Sequence, residues 1–314
     1  MQPKYTLADF KRDFPNDDAC LEWLKNLRWP NGITCRKCKQ VRKHHRVTKR
    51  LCYACDHCGT HVYPQAGTVL QDTRTPLVYW FRAIFLMATT RMGIAAKHLE
   101  REVGCSYKTA WRMMRMIRQL MTEDILQLLG QVEIDESFFG GLAKNAHREW
   151  IDGKSVSHVP EKTIVLGIVQ RGGNIITSVI PDTTNLTLLP RVREHVLPKS
   201  MVFTDEYHGY RNLPKMGYQH SRVYHSAHVY VENDNVTGVK AHTNTVESFW
   251  SLAKNGIRGS NRHVGKRYLQ GYLNAYAFRW NHRRDAASMF RSIVSQLPSS
   301  RPTPTKEPEN ETLS

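Results

Sequence analysis

The chain has 314 residues and carries 45 Lys and Arg against 28 Asp and Glu, a formal charge of +17 at neutral pH. That length allows two or three domains and a sizeable core without disulfides, and the charge points to a polyanionic partner, nucleic acid before membrane. The opening MQPKYTLADFKRDF has no apolar export signal, and the longest apolar stretch, LVYWFRAIFLMA, is interrupted by Arg82 and too short to span a bilayer, so a cytoplasmic protein without membrane association is expected.

Residues 1–70 hold a metal-binding pattern. Of seven cysteines, four fall as Cys35 and Cys38 in ITCRKCKQ and as Cys55 and Cys58 in YACDHCGT. Each Cys-x-x-Cys pair places two thiolates on a tight knuckle. The ~16 residues between the pairs suit a hairpin that brings both knuckles around a tetrahedral, structural Zn²⁺. A segment so poor in apolar residues could hardly build its own core, so zinc would supply the folding energy. Cys52 forms a rival Cys-x-x-Cys with Cys55, but Gly59 suits a knuckle turn and favours Cys55 with Cys58. Cys20 and Cys105 read as small core residues.

Residues 71–125 have helical periodicity. LVYWFRAIFLMATT fits one helix, and GIAAKHLEREVGCSYKTAWRMMRMIRQLM reads as a helix, a turn at Gly104 and a second helix with Ser106 as N-cap. The layout resembles a helix-turn-helix, which would set Lys108, Arg112 and Arg115 against DNA phosphates or bases; the alternative is a connector bundle.

Residues 126–295 change character. QVEIDESFFGG is a β-type run, TIVLGIVQRGG and NIITSVIPD are two more joined by a Gly-Gly turn, LTLLPRVREHVL is a helix, and SMVFTDEYHGY is a strand ending in a carboxylate. Such alternation predicts an α+β or α/β domain with a mixed sheet. Residues 296–314, ending in SSRPTPTKEPENETLS, read as a disordered tail.

In HTNTVESFWSLAKNG, Asn244, Glu247, Ser251 and Lys254 recur at i, i+3, i+7 and i+10, one narrow helical stripe, while Val246, Phe249, Trp250 and Ala253 lie off it and can pack. Two aspartates on strands stand out beside Glu247. Neighbours on a strand face opposite sides, so Asp135 and Glu136 are not expected to share a site, and the same argument prefers Asp205 over Glu206. Glu133 shares the face of Asp135 and remains a competitor.

Three converging carboxylates repel one another unless cations are present or their pKa values are pushed apart. Hard oxygen ligands suit Mg²⁺, or Mn²⁺, and two ions about 4 Å apart would clamp the attacking and leaving oxygens of a phosphodiester. In a basic protein, such a site would cut or join nucleic acid. Asn244 would then hold a metal-bound water or a phosphate, and Lys254 would grip the DNA backbone; otherwise the stripe is a solvated face.

Tyr207, Tyr210 and Ser137 read as packing or phosphate contacts rather than nucleophiles. His220, His225 and His228 lack clean ligand spacing, and Glu232 to Asn235 read as a loop. Arg279, Arg283 and Arg284 in FRWNHRR fall on a helix face, to hold DNA backbone or to pair with acids.

The order of the cysteine ribbon, the paired helices, VEIDESFFGG, VFTDEYHGY, HTNTVESFWSLAKNGIRG and YLNAYAFRWNHRR resembles the zinc-ribbon, ISXO-type insertion-sequence transposases, over roughly residues 5–295. HTNTVESFW is the most specific of these motifs. The resemblance implies an RNase H-like, DDE-type catalytic domain preceded by a zinc ribbon and DNA-binding helices. It implies an active site of Asp135, Asp205 and the Asn244/Glu247 turn with Lys254 beside it. Either Asn244 or Glu247 can be the third ligand; Glu247 is preferred because a carboxylate binds Mg²⁺ better than an amide. Terminal inverted repeats, target double-stranded DNA and a homodimer or larger assembly holding two ends are also implied. A regulator that no longer cuts and a structure-selective nuclease are the rival readings.

Overall fold

Thr6 opens the first helix with a capping box: its hydroxyl accepts from the Asp9 N–H, and the Asp9 carboxylate accepts from the Thr6 N–H. The computed structural model describes residues 5–123, 127–141, 147–151, 154–158, 162–223, 232–233, 240–285 and 288–299. They form two compact units. The first runs to Thr89 and adds Lys97–Leu120 and the chain from Asp285 onward; the second is Thr90–Ala96 with Met121–Arg284. Among the described residues no helix is long and apolar enough to cross a membrane.

In the first unit, α1 (Leu7–Asp13) and α2 (Asp17–Arg28) precede a ribbon of short strands. These are β1 (Ile33–Thr34) and β2 (Val41–Arg42), which pair with each other, then β3 (His44–Val47), β4 (Cys52–Cys55) and β5 (His61–Val62), an antiparallel three-stranded sheet. Helix α3 (Leu77–Thr89) is followed by α4 (Ala96–Val103) and α5 (Tyr107–Leu120). Gly104, at φ +72°, turns the chain between those two, and the Ser106 hydroxyl caps α5 by accepting from the Thr109 N–H at 3.3 Å, as the sequence predicts.

The second unit is built on a five-stranded mixed sheet. Its strands are β6 (Gln131–Phe139), β9 (Thr163–Gln170), β10 (Ile175–Ile180), β11 (Met201–Asp205) and β12 (Gln219–Val223); a hairpin of β7 (His147–Ile151) and β8 (Lys154–His158) lies between β6 and β9 in the chain. The order across the sheet is β10-β9-β6-β11-β12, with β10, β9 and β6 antiparallel and β6, β11 and β12 parallel. Alternation along β6 splits its side chains between two cores. Val132 and Ile134 pack with Leu188 and Val192 of α6 (Asn185–His195). Phe139, across the strand, packs with Val246, Phe249 and Trp250 of α7 (Asn244–Gly256) and Leu269, Leu273 and Tyr276 of α8 (Lys266–Asn281). A short pair, β13 (Glu232–Asn233) with β14 (Lys240–Ala241), leads into α7. This is the RNase H-like class, a mixed sheet with flanking helices.

The outer edge of β10 is closed by side chains of α8. Gln270 accepts from the Val179 N–H and donates to the Thr177 carbonyl; Asn281 does the same for the N–H and carbonyl of Ile175.

The last helix, α9 (Met289–Ser295), belongs to the first unit. Phe290 stacks on Tyr5 at 5.3 Å between ring centroids and meets Phe10, Phe14 and Phe85 edge-on. The first unit therefore has an aromatic core of its own. Of the segment read as a tail, Leu297 is buried; residues 300–314 lie outside the described residues.

Candidate functional site

The ribbon builds its cluster from two copies of one turn. In the first, Cys35 N–H donates to the Gln40 carbonyl and Lys39 N–H to the Cys35 carbonyl; in the second, Cys55 N–H donates to Thr60 and Gly59 N–H to Cys55. The residue after each second cysteine, Lys39 or Gly59, takes a positive φ, +59° or +70°. The four sulfurs of Cys35, Cys38, Cys55 and Cys58 all lie within 4.8 Å of one another. Tetrahedral zinc with bonds of about 2.3 Å needs its sulfurs about 3.8 Å apart, so the cluster fits a structural Zn²⁺. Thr60, through its hydroxyl and then its N–H, holds the Cys58 thiol down at about 6. Cys52 is buried on β4 outside this group, and Cys20 is buried in α2. Cys105 is half-buried in the turn before α5.

The acidic site lies where a ladder ends. Strands β6 and β11 pair only from Met201↔Gln131 to Phe203↔Glu133, and beyond that register a notch is left between them. Asp135 and Glu136 enter from β6 and Asp205 from β11, their carboxylate oxygens all within 4.8 Å of one another. The expectation that Asp135 and Glu136 cannot share a site is thereby corrected. Their side chains leave opposite faces, but β11 no longer pairs with β6 at these positions, and on that side both carboxylates come within reach of Asp205.

Each acid is held differently. Trp250 Nε1 donates to Asp135 at 2.9 Å, the Tyr207 N–H donates to Asp205 at 3.1 Å, and the fully buried Tyr210 hydroxyl donates to Glu136. Burial first, then the charge of Asp205, pushes Asp135 up to about 6; Glu247 adds a smaller push in the same direction. Burial raises Glu136 to about 7 against the lowering effect of Tyr210, with Asp205 and Asp135 adding to the rise. These are acids for which ionisation is costly without a cation.

On α7 the predicted stripe is on the outside: Asn244, Glu247 and Ser251 are exposed and Lys254 half-buried, while Val246, Phe249, Trp250 and Ala253 are buried. Glu247 accepts from the Thr243 hydroxyl at 2.9 Å. Lys254 lies over the Phe139 ring at 5.7 Å; burial and Arg258 lower its pKa, and Asp135 opposes them.

Glu133, the competitor, faces another task. It is fully buried, pairs with Arg171 at 2.7 Å and accepts from the N–H groups of Thr245 and Val246, so it caps the first turn of α7 from the sheet. Arg171 in turn donates to the carbonyls of Lys240 and His242 and lies over Phe203 at 3.8 Å.

Glu136, the Trp250 and Tyr210 hydrogen bonds and the Glu133 clip were not foreseen from the sequence. Nor was Gly167, the partner of Asp135 across β6 and β9, where a Cβ would come within 2.5 Å of the Trp250 ring. An aromatic capable of donating three residues after Glu247 is the one local signal for the Trp250 bond.

Among the basic candidates, Lys108 and Arg112 are exposed on α5, and Arg115 is half-buried over Trp111 at 5.9 Å. Arg283 and Arg284 are exposed after α8, and Arg283 donates to the Gly173 carbonyl. Arg279 requires correction: it is only 7% exposed, donates to the Ala275 carbonyl and stacks on Tyr276, which makes it part of the core rather than a DNA contact. His220 is half-buried, 2.9 Å from the Thr204 hydroxyl, and burial pushes it down to about 4. His225, His228, Asp234 and Asn235 lie outside the described residues; Glu232 and Asn233 form β13 rather than a loop.

The ISXO2-like transposase domain matches residues 127–281, and the transposase zinc-ribbon domain matches residues 15–61. An uncharacterized protein in transposable element ISH50 of Halobacterium salinarum is 27% identical over 283 residues, 85% of this chain and 92% of that protein. An uncharacterized transposase-like protein of Haemophilus influenzae is 32% identical over 123 residues, 39% of this chain and 92% of its own length. Among solved structures, a chain in the simian T-cell lymphotropic virus intasome bound to PP2A regulatory subunit B56 gamma aligns over 74% of this chain and 78% of its own, at 11% identity and a TM-score of 0.31. A chain of the pre-cleavage Mos1 transpososome aligns over 65% and 71%, at 10% identity and a TM-score of 0.24. With a matching domain over the ribbon and another over the sheet, the chain belongs to the insertion-sequence transposases that carry a zinc ribbon ahead of an ISXO2-like DDE domain.

Proposed function

We propose that the chain is an active DNA transposase that cuts at transposon ends and joins the freed 3′-hydroxyl to target DNA, with Asp135, Asp205 and Glu247 as ligands of Mg²⁺ or Mn²⁺. The observation that carries this reading is the gathering of Asp135, Glu136 and Asp205 within 4.8 Å, in surroundings that disfavour their charge. Divalent cations, when bound, would neutralise these acids and the phosphodiester oxygens during in-line displacement.

The protein's own part is placement. Trp250 fixes Asp135 and the Tyr207 N–H fixes Asp205, so neither carboxylate has to reorganise when a strand arrives. Glu247 and Lys254, each near enough to interact with the charge of Asp135, lie with Asn244 along the outer face of α7, where Lys254 would hold a backbone phosphate and Asn244 a phosphate or a water. Water then attacks phosphorus and the bond to the 3′-oxygen breaks, leaving a 3′-hydroxyl and a 5′-phosphate. In the second step that hydroxyl attacks a target phosphodiester and displaces its 3′-oxygen, with no protein-linked intermediate.

In the same reading Lys108, Arg112 and Arg115 of α5, with Arg283 and Arg284, bind double-stranded DNA, including the terminal inverted repeats. The working form is a homodimer or larger assembly in the cytoplasm. Asp135→Asn and Asp205→Asn should each lower end cleavage roughly 10³-fold or more while duplex binding stays within about twofold. Full cleavage by both variants would overturn the assignment.

A further inference from the structure

The two turns that hold the four cysteines share a backbone but not a charge. Residues 33–62 contain eight Lys and Arg and a single acid, Asp56. The first turn, residues 35–40, carries Arg36, Lys37 and Lys39, all exposed; the second, residues 55–60, carries Asp56 and His57. Among the described residues no carboxylate pairs with the three cations of the first turn, whereas Arg46 on β3 is matched to Asp18 at 2.8 Å. Arg36 adds to the crowding of like charge: the Arg28 guanidinium, fixed on the Pro64 and Ala66 carbonyls, has its pKa lowered by burial and then by Arg36. Unmatched cations gathered on a tight turn call for an anion.

The backbone supplies a second, independent sign. The equivalent positions Lys39 and Gly59 both take the left-handed conformation, at φ +59° and +70°. Space around the missing Cβ of Gly59 is open, so what glycine relieves there is the backbone alone. The first turn accepts the energetic cost of a side chain at this position, and the side chain is a cation that makes no ion pair among the described residues. Strain kept for a side chain that gives the fold nothing points to a ligand. No aromatic residue stands on the first turn to stack an unpaired base, so the match is to backbone phosphate rather than to bases.

We propose that the first turn of the ribbon is a phosphate clamp on duplex DNA, in which Arg36, Lys37 and Lys39 each neutralise one backbone phosphate and position the protein without reading sequence. That the anion is DNA rests on the transposase reading; that the turn binds phosphate does not.

The test titrates the full chain, loaded with zinc and held in Ca²⁺ to prevent cutting, onto two labelled blunt duplexes of unrelated sequence, between about 50 and 200 mM salt. Arg36→Ala, Lys37→Ala and Lys39→Gly should each reduce the salt slope by about one on both duplexes. Lys39→Arg should keep the wild-type slope, as should His57→Ala on the second turn. Lys39→Gly should also retain zinc and melt at or above the wild-type temperature, because glycine relieves the positive φ. Unchanged slopes in the three first-turn variants overturn the proposal, as does an effect confined to one sequence or a wild type that binds neither duplex. A Lys39→Gly chain that sheds zinc or melts earlier overturns it too, since the lysine would then serve the fold. Asp135→Asn and Asp205→Asn should bind as wild type does, so persistent cleavage in those variants would sink the catalytic reading and leave the clamp untouched.

Discussion

Asp135 is aimed by two residues acting in series. Gly167 leaves room on β9, the Trp250 ring fills it, and the indole N–H then meets the Asp135 carboxylate. Gly167→Ala should therefore cost about 1–3 kcal/mol of stability through overpacking and turn the indole away from the acid; thermal melting with a crystal structure of the variant would check both. Asp135 and Glu136 make a separate prediction about pH. An unfolded carboxyl ionises near pH 4, whereas Asp135 and Glu136 are held at about 6 and about 7 in the fold. Their contribution to stability is complete below about pH 4 and is lost as pH rises through 6 and 7. His220, pressed down to about 4 by burial and then by Arg222, acts in the opposite direction, weakening the fold as pH falls below its ordinary range. The difference between wild type and Glu136→Gln isolates the acids. Without divalent metal, the wild type should lose more stability than the variant between about pH 5 and 7.5, and Mg²⁺ at the upper pH should reverse the loss; parallel melting curves would mean that the acids are not crowded. Asp135 and Asp205 were legible in the sequence because each carboxylate follows an apolar run, mid-strand in β6 and at the end of β11. Glu136 was not, because alternation tells which face a side chain leaves and not whether the neighbouring strand has ended.

At the scale of elements, the α7 stripe and its packed side could be read from spacing alone, as could strands β6, β9, β10 and β11 and the helix turn at Gly104. What spacing could not show is how α7 is tied down. Thr243 precedes the helix without capping it, and the cap comes instead from Glu133, more than a hundred residues earlier in the chain. The motif thus hides a partner that only the sheet reveals. Glu133→Ala would leave Arg171, whose side chain is 13% exposed, without its anion and two helix N–H groups without an acceptor. We expect about 3–5 kcal/mol of destabilisation by urea unfolding, the usual cost of breaking a buried pair from one side. A loss below about 1 kcal/mol would show that water can replace the clip.

At the scale of the molecule, the two units depend on different sources of order. The ribbon strands are two to four residues long, and the four-thiolate cluster joins their turns. Removing zinc with a chelator should raise amide exchange across Ile33–Val62 and leave β6 and β9 protected; uniform deprotection of both would refute separate support. The cysteine spacing revealed the ribbon at once. The aromatic core of the same unit leaves no mark in the sequence because its members, Tyr5, Phe10, Phe14, Phe81, Phe85 and Phe290, are scattered over nearly the whole chain and follow no single period.

Phe290 also sets a timetable for folding. A ribosome making this protein releases α1, α2 and α3 early, but the ring that closes their aromatic cluster is not synthesised until the whole sheet unit has been made. The front of the molecule is thus completed last, and messages that stop short of codon 290 yield chains whose opening helices never acquire their final contact. Exchanging this front end between relatives would, for the same reason, take three grafts rather than one cut.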